Sequence, residues 1–114
     1  MFHATHVVSH KYEEALDDTG IVLFDTQGNL WGFLAENNAA ADVYLQFFDS
    51  NSGPSGSPVF TIRIPASSAV GKDIEDKAAY HFANGCSVRA VDARAGSSLS
   101  VAEPTLQFWY AKHS

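Results

Sequence analysis

A short stretch at residues 58–65, with the sequence PVFTIRIP, constrains the fold of this chain more than any other part of it. Its largest apolar side chains, Phe60, Ile62 and Ile64, stand at every second position, which is the pattern of a strand with one face on a core. A proline stands at each end, where a strand can lack a hydrogen-bond donor. Residues 50–57 before it are almost all turn formers. The pattern therefore predicts a loop followed by a half-buried β-strand.

Short apolar or alternating runs recur along the rest of the chain, and turn residues separate them. Residues 10–18 have an ambiguous helical pattern, and no other segment favours a helix as strongly as these runs favour strands. Strands of this length and spacing predict an all-β fold, namely a single antiparallel β-sandwich, jelly-roll-like, with about eight strands. The further runs lie at residues 21–24, 30–34, 43–48, 78–82, 86–91 and 106–110.

Two of these runs allow more specific predictions. The runs 21–24 and 30–34 are joined by a short turn segment that includes Gly28, which is typical of a β-hairpin. In the run 43–48 both alternating sets of positions carry large apolar side chains. We therefore expect part of the outer side of this strand to be covered as well.

The sequence divides into an N-terminal arm, residues 1–19, and a β-sandwich domain, residues 20–114, and a length of 114 residues is typical of one domain. The arm has no clean strand or helix period, yet it carries apolar residues that need a partner. Its own sheet edge, a sister subunit and a larger assembly are the candidates, and the segment with Val7 and Val8 could add a strand to an open edge. We expect the arm to contribute more to assembly than to the fold.

The charge and the cysteine usage exclude several classes of protein. The formal net charge is −6 and the pI is about 5.1, whereas nucleic acids and anionic membrane surfaces require a basic face. No apolar run approaches the length of a membrane span, and the first residues lack the pattern of a signal peptide. The single cysteine, Cys86, excludes an intrachain disulfide. We expect a protein made in a reducing cytoplasm, without nucleic-acid or membrane partners and not exported by the general secretory route.

Three N-terminal histidines are the strongest candidates for a metal site. His3, His6 and His10 would share one face of a helix and could then bind a transition metal. The pair Val7 and Val8 disfavours a helix, however, and a strand directs His3 and His6 to opposite sides. We predict an exposed polar arm and no metal.

Other reactive side chains also have simpler interpretations. Glu13, Glu14, Asp17 and Asp18 could bind calcium but lack an EF-hand spacing, so a solvated acidic surface is favoured. Cys86 alternates with apolar residues, which is typical of a small buried side chain rather than a nucleophile. We predict no catalytic residue and no cofactor, and hence a protein that is not an enzyme.

Aromatic side chains are the remaining candidates for function. Trp31, Tyr44, Trp109 and Tyr110 could form a platform on which a sugar stacks, but cores and protein interfaces use the same side chains. We favour an interface or the core. The predicted interface residues are Val7, Val8, Tyr12, Trp31, Tyr44 and Trp109.

The strand patterns resemble a known family of virion proteins. The sequence VYLQFFD at residues 43–49, the loop after it and PVFTIRIPA at residues 58–66 are similar to small virion proteins of tailed bacteriophages. The resemblance continues through FANGCSVRAV at residues 82–91 and ends in FWYA at residues 108–111. It covers about residues 38–111 and has no counterpart for residues 1–37.

The resemblance implies a structural role. Members of this family look like β-sandwich parts of virions, including capsid decoration (cement) proteins and modules of head or tail fibres, and the family pattern carries no catalytic residue. Among these virion parts we favour a decoration protein on the capsid surface that binds and stabilises the assembled phage head. Its partners would be the major capsid protein and copies of itself, as a dimer or trimer. The alternative is a head or tail fibre module, or adsorption module, that recognises a carbohydrate on the host surface.

Overall fold

The structure, a computed structural model, describes residues 8–72 and 79–112, and over these ranges it contains strands and no helix. The predicted all-β sandwich is confirmed. The nine strands are β1 (Ser9–Glu13), β2 (Ile21–Phe24), β3 (Gly28–Asn37), β4 (Val43–Phe48), β5 (Phe60–Ile64), β6 (Ser68–Lys72), β7 (Tyr80–Phe82), β8 (Cys86–Val91) and β9 (Thr105–Lys112).

The strands form two antiparallel sheets that pack face to face. The five-stranded sheet has the order β1-β9-β3-β6, and β7 also pairs with β3. The four-stranded sheet has the order β2-β8-β4-β5. With the short β7 set aside, each sheet has four strands, and their order is that of a jelly roll.

The core between the sheets is built largely from phenylalanine rings. Phe47 lies at its centre, with ring centroids 4.7 Å from Phe60, 5.9 Å from Phe33 and 6.4 Å from Phe108. The alternation in the sequence places these rings, since Val43, Leu45 and Phe47 in β4 are all 0% exposed. Their neighbours Gln46 and Phe48 are also buried, so the expected cover on the outer side of β4 is present.

The predicted hairpin over residues 21–34 is wrong. β2 pairs with β8 in the four-stranded sheet, whereas β3 pairs with β6, β7 and β9 in the other. The turn residues between them carry the chain from one sheet to the other. Phe24 and Leu30 on either side of that turn are 3% and 0% exposed, so both runs bury their apolar side chains in the shared core. A hairpin within one sheet and a crossing between two sheets both place two apolar runs around a turn, so the sequence pattern is the same for the two.

The N-terminal segment is more closely integrated than an arm would be. β1 pairs with β9 along its whole length, from Ser9 opposite Tyr110 to Glu13 opposite Leu106. Leu16 is 1% exposed and belongs to the core, and its backbone N–H donates to the carbonyl of Pro104. Residues 8–19 therefore belong to the sandwich, which differs from the prediction of an arm over residues 1–19.

β3 contains a bulge at Trp31 that affects the outer surface of the five-stranded sheet. The register with β9 shifts between Leu30 and Gly32, and Gly32 lies opposite Trp109. Leu30 and Phe33 are both core residues, so the two residues between them, Trp31 and Gly32, share the outer side. The bulge places the two tryptophans of the chain at neighbouring outer positions.

Candidate interaction surface

The centre of the outer side of the four-stranded sheet is covered by the chain itself. Gln46 on β4 is 2% exposed, and its amide nitrogen donates to the carbonyls of Arg94 and Gly96 at 2.9 and 3.0 Å. Its amide oxygen accepts a 2.7 Å hydrogen bond from Nε of Arg89 on β8. A polar side chain at an otherwise apolar position is thus fully used to hold the loop after β8 against the sheet.

Two arginines complete this cover. The guanidinium of Arg94 lies 5.4 Å from the ring centre of Tyr44, and its Nη1 donates to the carbonyl of Thr61. The guanidinium of Arg89 lies 5.1 Å from the ring centre of Phe48. Cation–π contacts of this kind keep both rings under charged side chains. Along the two edge strands of this sheet, however, Val22 on β2 and Val59 immediately before β5 remain 38% and 55% exposed.

On the outer side of the five-stranded sheet, the described residues leave aromatic side chains of β1, β3 and β9 exposed or half-buried. On β1 and β9, His10 lies opposite Trp109 and Tyr12 lies opposite Gln107, so the four side chains form a compact block on one surface. The bulge adds Trp31 next to Trp109. We call this surface the aromatic face, formed by His10, Tyr12, Trp31, Gln107 and Trp109.

Polar groups lie between the rings of the aromatic face. Nε2 of His10 is 2.9 Å from Oε1 of Gln107, and the His10 ring centre is 5.1 Å from that of Trp109. Tyr12 is 54% exposed, the most exposed large ring among the described residues. The Gln107 amide nitrogen and the Tyr12 hydroxyl have no hydrogen-bond partner within residues 8–72 and 79–112. Both groups can therefore bond to a molecule on this face.

The structure brings together some of the predicted interface residues and separates others. Tyr12, Trp31 and Trp109 share the aromatic face, and Val8, 42% exposed, immediately precedes β1. Tyr44 lies on the opposite side of the molecule under Arg94. The predicted residue Val7 lies outside the described residues.

Sequence reasoning missed His10 and Gln107 as members of this surface. Gln107 stands between apolar residues in the alternating run 106–110, which is the one local signal that places it on the outer side. The spacing of the N-terminal histidines suggests only a metal site for His10, since its partner across the sheet is distant in the sequence. Only strand pairing brings the two side chains together.

The acidic residues that could have bound calcium serve the loops. Oδ1 of Asp17 accepts hydrogen bonds from the backbone N–H groups of Thr19 and Gly20, and Oδ2 of Asp18 accepts from the N–H of Leu99. Within the described part of the chain, no three His, Cys, Asp or Glu side chains gather in a way that could hold a metal ion. His3 and His6 lie outside it.

Cys86 is buried in the core at 0% exposure. Burial raises the pKa of its thiol far above the ordinary range, and the negative charge of Asp49 acts in the same direction. The reactive thiolate form is therefore scarce at neutral pH.

The described residues also include no helix long and apolar enough to cross a membrane.

Comparisons with known proteins identify no family for this chain. No family model matches the sequence, and no curated protein matches it. A similar solved structure is a Bacillus endospore appendage, one of a family of disulfide-linked pili, with 11% identity, a TM-score of 0.49 and coverage of 96% of this chain and 91% of that one. Another is the coat protein of tobacco streak virus, with 10% identity, a TM-score of 0.48 and coverage of 100% and 91%. Both neighbours are proteins of assembled structures, but similarity at this level carries no argument about function.

Proposed function

We propose that this chain is a structural virion protein, a capsid decoration subunit that binds and stabilises the assembled phage head. The resemblance of its strand patterns to small phage virion proteins supports this role. The observation that carries it is the contrast between the two outer sides of the sandwich. The centre of one side is covered by its own loop, with Val22 and Val59 exposed only at its edges, and the other side leaves Tyr12, Val8 and half-buried Trp109 together on one surface. Exposed aromatic groups of this kind are typical of the centres of protein interfaces.

In this proposal the aromatic face binds the major capsid protein, and the function is not enzymatic. A subunit that binds the assembled shell and not its separated parts stabilises the shell by the free energy of binding. Copies of the subunit then occupy equivalent positions on the capsid surface, after synthesis in the host cytoplasm. Symmetric sites favour a dimer or a trimer of the subunit.

Sedimentation with undecorated shells of the phage tests this function. The wild-type protein is expected to co-sediment with shells and to raise their melting temperature. Trp109→Ala is expected to weaken binding, because a half-buried ring at the centre of the aromatic face is lost. Tyr44→Ala is the matched control on the closed side and is expected to bind normally. Shells that are neither bound nor stabilised by wild-type protein would refute the proposal.

The alternative function, recognition of a host carbohydrate by a fibre or adsorption module, is favoured by a specific observation. Sugar rings stack on aromatic side chains while their hydroxyl groups need hydrogen-bond partners. The aromatic face offers Trp109 and Tyr12 beside the amide nitrogen of Gln107, which has no hydrogen-bond partner among the described residues. None of the five residues of the face is an aspartate, glutamate, lysine or arginine, and the nearest described carboxylate on this side is that of exposed Glu36, opposite Thr105. We therefore propose a neutral glycan as the ligand.

A glycan array separates the two functions. Binding of neutral polysaccharides, abolished by Gln107→Ala as well as by Trp109→Ala, would support carbohydrate recognition. Binding to shells that survives Gln107→Ala but not Trp109→Ala would support the decoration function. Tyr44→Ala serves again as the control, since its ring lies under Arg94 on the other side of the molecule.

A further inference from the structure

β1 is an edge strand of the five-stranded sheet within the described part of the chain. Among the described residues it pairs with β9 alone, so the backbone donors and acceptors along its other side have no strand partner there. An open edge is a template for pairing with another strand. Lys11 and Glu13 stand on one side of β1, with Tyr12 between them on the other.

The two charged side chains determine which register a second strand can take. Nζ of Lys11 lies 3.8 Å from Oε1 of Glu13, and the two side chains are 39% and 26% exposed. Both side chains can therefore reach a neighbouring chain. If a second β1 approaches antiparallel across a two-fold axis at Tyr12, Lys11 of each copy lies opposite Glu13 of the other. This register forms two cross-strand ion pairs related by the axis.

The neighbouring registers are repulsive. If the register shifts by one residue, the core side of one strand is placed beside the outer side of the other. A slip of two residues in one direction places the axis at Lys11 and the two lysines opposite each other. A slip in the other direction places the two Glu13 side chains opposite each other, and like charges in directly opposed positions are destabilising. The edge of β1 is thus complementary to a second copy of itself in one register.

We propose that two copies of this chain associate through their β1 strands, antiparallel across a two-fold axis at Tyr12, into one continuous ten-stranded sheet. The axis is perpendicular to the sheet, so both aromatic faces lie on the same side. A stable dimer interface buries roughly 1,200–2,000 Å² in total. A contact between two five-residue strands is smaller than that. Association is therefore weak in solution and becomes strong where copies are held side by side on a larger surface. The proposal rests on the proposed function for the role of this pair, but not for its existence.

A cysteine on the axis tests the register directly. Directly opposed residues in an antiparallel pair have Cα atoms about 4.5–5.5 Å apart, which is within the range of a disulfide. Tyr12→Cys in a Cys86→Ser background is expected to form a disulfide-linked dimer on mild oxidation. The matched controls are His10→Cys, which lies off the axis, and Val59→Cys, which is 55% exposed on the other sheet. Equal crosslinking of all three variants, or none at Tyr12→Cys, would overturn the proposal.

A charge exchange provides a second, independent test. Lys11→Glu and Glu13→Lys each turn both cross-strand ion pairs into repulsions, so each is expected to raise the dimer dissociation constant at least about tenfold. The double variant Lys11→Glu/Glu13→Lys restores the pairs and is expected to bind within about threefold of wild type. Sedimentation equilibrium at concentrations up to about 1 mM measures all four proteins. A wild type that stays monomeric, or a double variant as weak as the single ones, contradicts the proposal.

The two proposals fail in different ways. A dimer that forms in solution while undecorated shells remain unbound would support the β1 pair and refute the decoration function. Shell binding by a chain that neither crosslinks at Tyr12→Cys nor responds to the charge exchange would do the reverse. Circular dichroism checks that each variant is folded. Lys11, Tyr12 and Glu13 lie on an edge strand outside the core, whereas Cys86 is a core residue, so the Cys86→Ser background is measured by itself as well.

Discussion

Gly20 shows how a single residue sets the path of this chain between the N-terminal segment and β2. It has a φ of +77°, in the left-handed region that favours glycine, and Asp17 accepts a hydrogen bond from its N–H group. A Cβ atom at this position would clash with the carbonyl oxygen of Val88 in β8. The residue therefore serves both as a turn and as a close approach of two backbones.

A comparison with Gly56 separates these two requirements. Gly56 has a φ of +72°, nearly the same as Gly20, but a Cβ atom there would have nothing within 4 Å. Gly56→Ala is expected to destabilise the protein by about 1 kcal/mol through backbone strain. Gly20→Ala is expected to cost about 1–3 kcal/mol more, because Val88 cannot move without disturbing β8. Urea denaturation measures both variants, and equal free energies of unfolding would show that the backbone approach is not tight.

At the scale of the elements, one ion pair joins the start of β4 to the end of β5. Oδ2 of Asp42 accepts a 2.8 Å hydrogen bond from Nε of Arg63, and its Oδ1 accepts from the N–H of Ala66. The hydrogen bond from Arg63, followed by that from Ala66, lowers the pKa of the Asp42 carboxyl below its ordinary value of 3.8. The same hydrogen bond raises the pKa of Arg63, so both side chains are held in their charged forms.

The sign of this shift predicts how stability depends on pH. A carboxyl whose pKa is lower in the folded protein stabilises the fold above its unfolded pKa, near 3.8, and loses that contribution as the pH falls through the folded value. Asp42→Asn should therefore be less stable than wild type at pH 7, and the difference should shrink below about pH 4. Asp25→Asn is the control, since exposed Asp25 has no hydrogen-bond partner within the described ranges. A difference that stays constant across the whole pH range would exclude the linkage.

The N-terminal segment combines two elements with different roles. No residue of β1 belongs to the core, whereas Leu16 is buried in it and the carbonyl of Asp17 accepts a hydrogen bond from the N–H of Ala90. A strand at the edge can be lost with less damage than a core side chain.

Two deletions separate these roles. Removal of residues 1–13 is expected to keep the sheet signal in far-UV circular dichroism. Removal of residues 1–18 also deletes Leu16, which by analogy with substitutions of buried leucine costs about 2–5 kcal/mol and should abolish cooperative folding or nearly so. Thermal unfolding followed by far-UV circular dichroism compares the melting temperatures of the two deletion variants. Equal melting temperatures for the two deletions would show that Leu16 contributes nothing to the core.

At the scale of the whole molecule, Cys86 is a natural probe of opening. Its thiol is buried between the sheets and its pKa is strongly raised, mainly by that burial. Reaction with a thiol reagent therefore requires the sandwich to open. Cys86 is expected to react on the order of a thousandfold or more slowly than a cysteine placed at exposed Val59 in a Cys86→Ser background. In concentrated urea the two rates should converge, and fast labelling of native Cys86 would reveal a local opening at β8.

For the strands with a clear apolar alternation, such as β4 and β9, the sequence by itself determined which side faces the core. Side-chain alternation is a property of neighbouring residues, so the buried sets around Phe47 and Phe108 can be identified without knowing any partner strand. The same local pattern predicted the all-β class and the burial of Cys86. The negative net charge likewise follows from the composition alone.

Tertiary structure alone decided which strands pair and which surface remains open. Pairing is a long-range choice, because any exposed strand edge can satisfy the hydrogen bonds of another, and the turn after Phe24 suited a crossing between sheets as well as a hairpin. The aromatic face depends on the same choice, since His10 and Gln107 stand 97 residues apart in the sequence and meet only because β1 and β9 are neighbours. The position of β1 at the end of the sheet, which leaves Lys11 and Glu13 at an open edge, follows from that pairing and not from any local pattern.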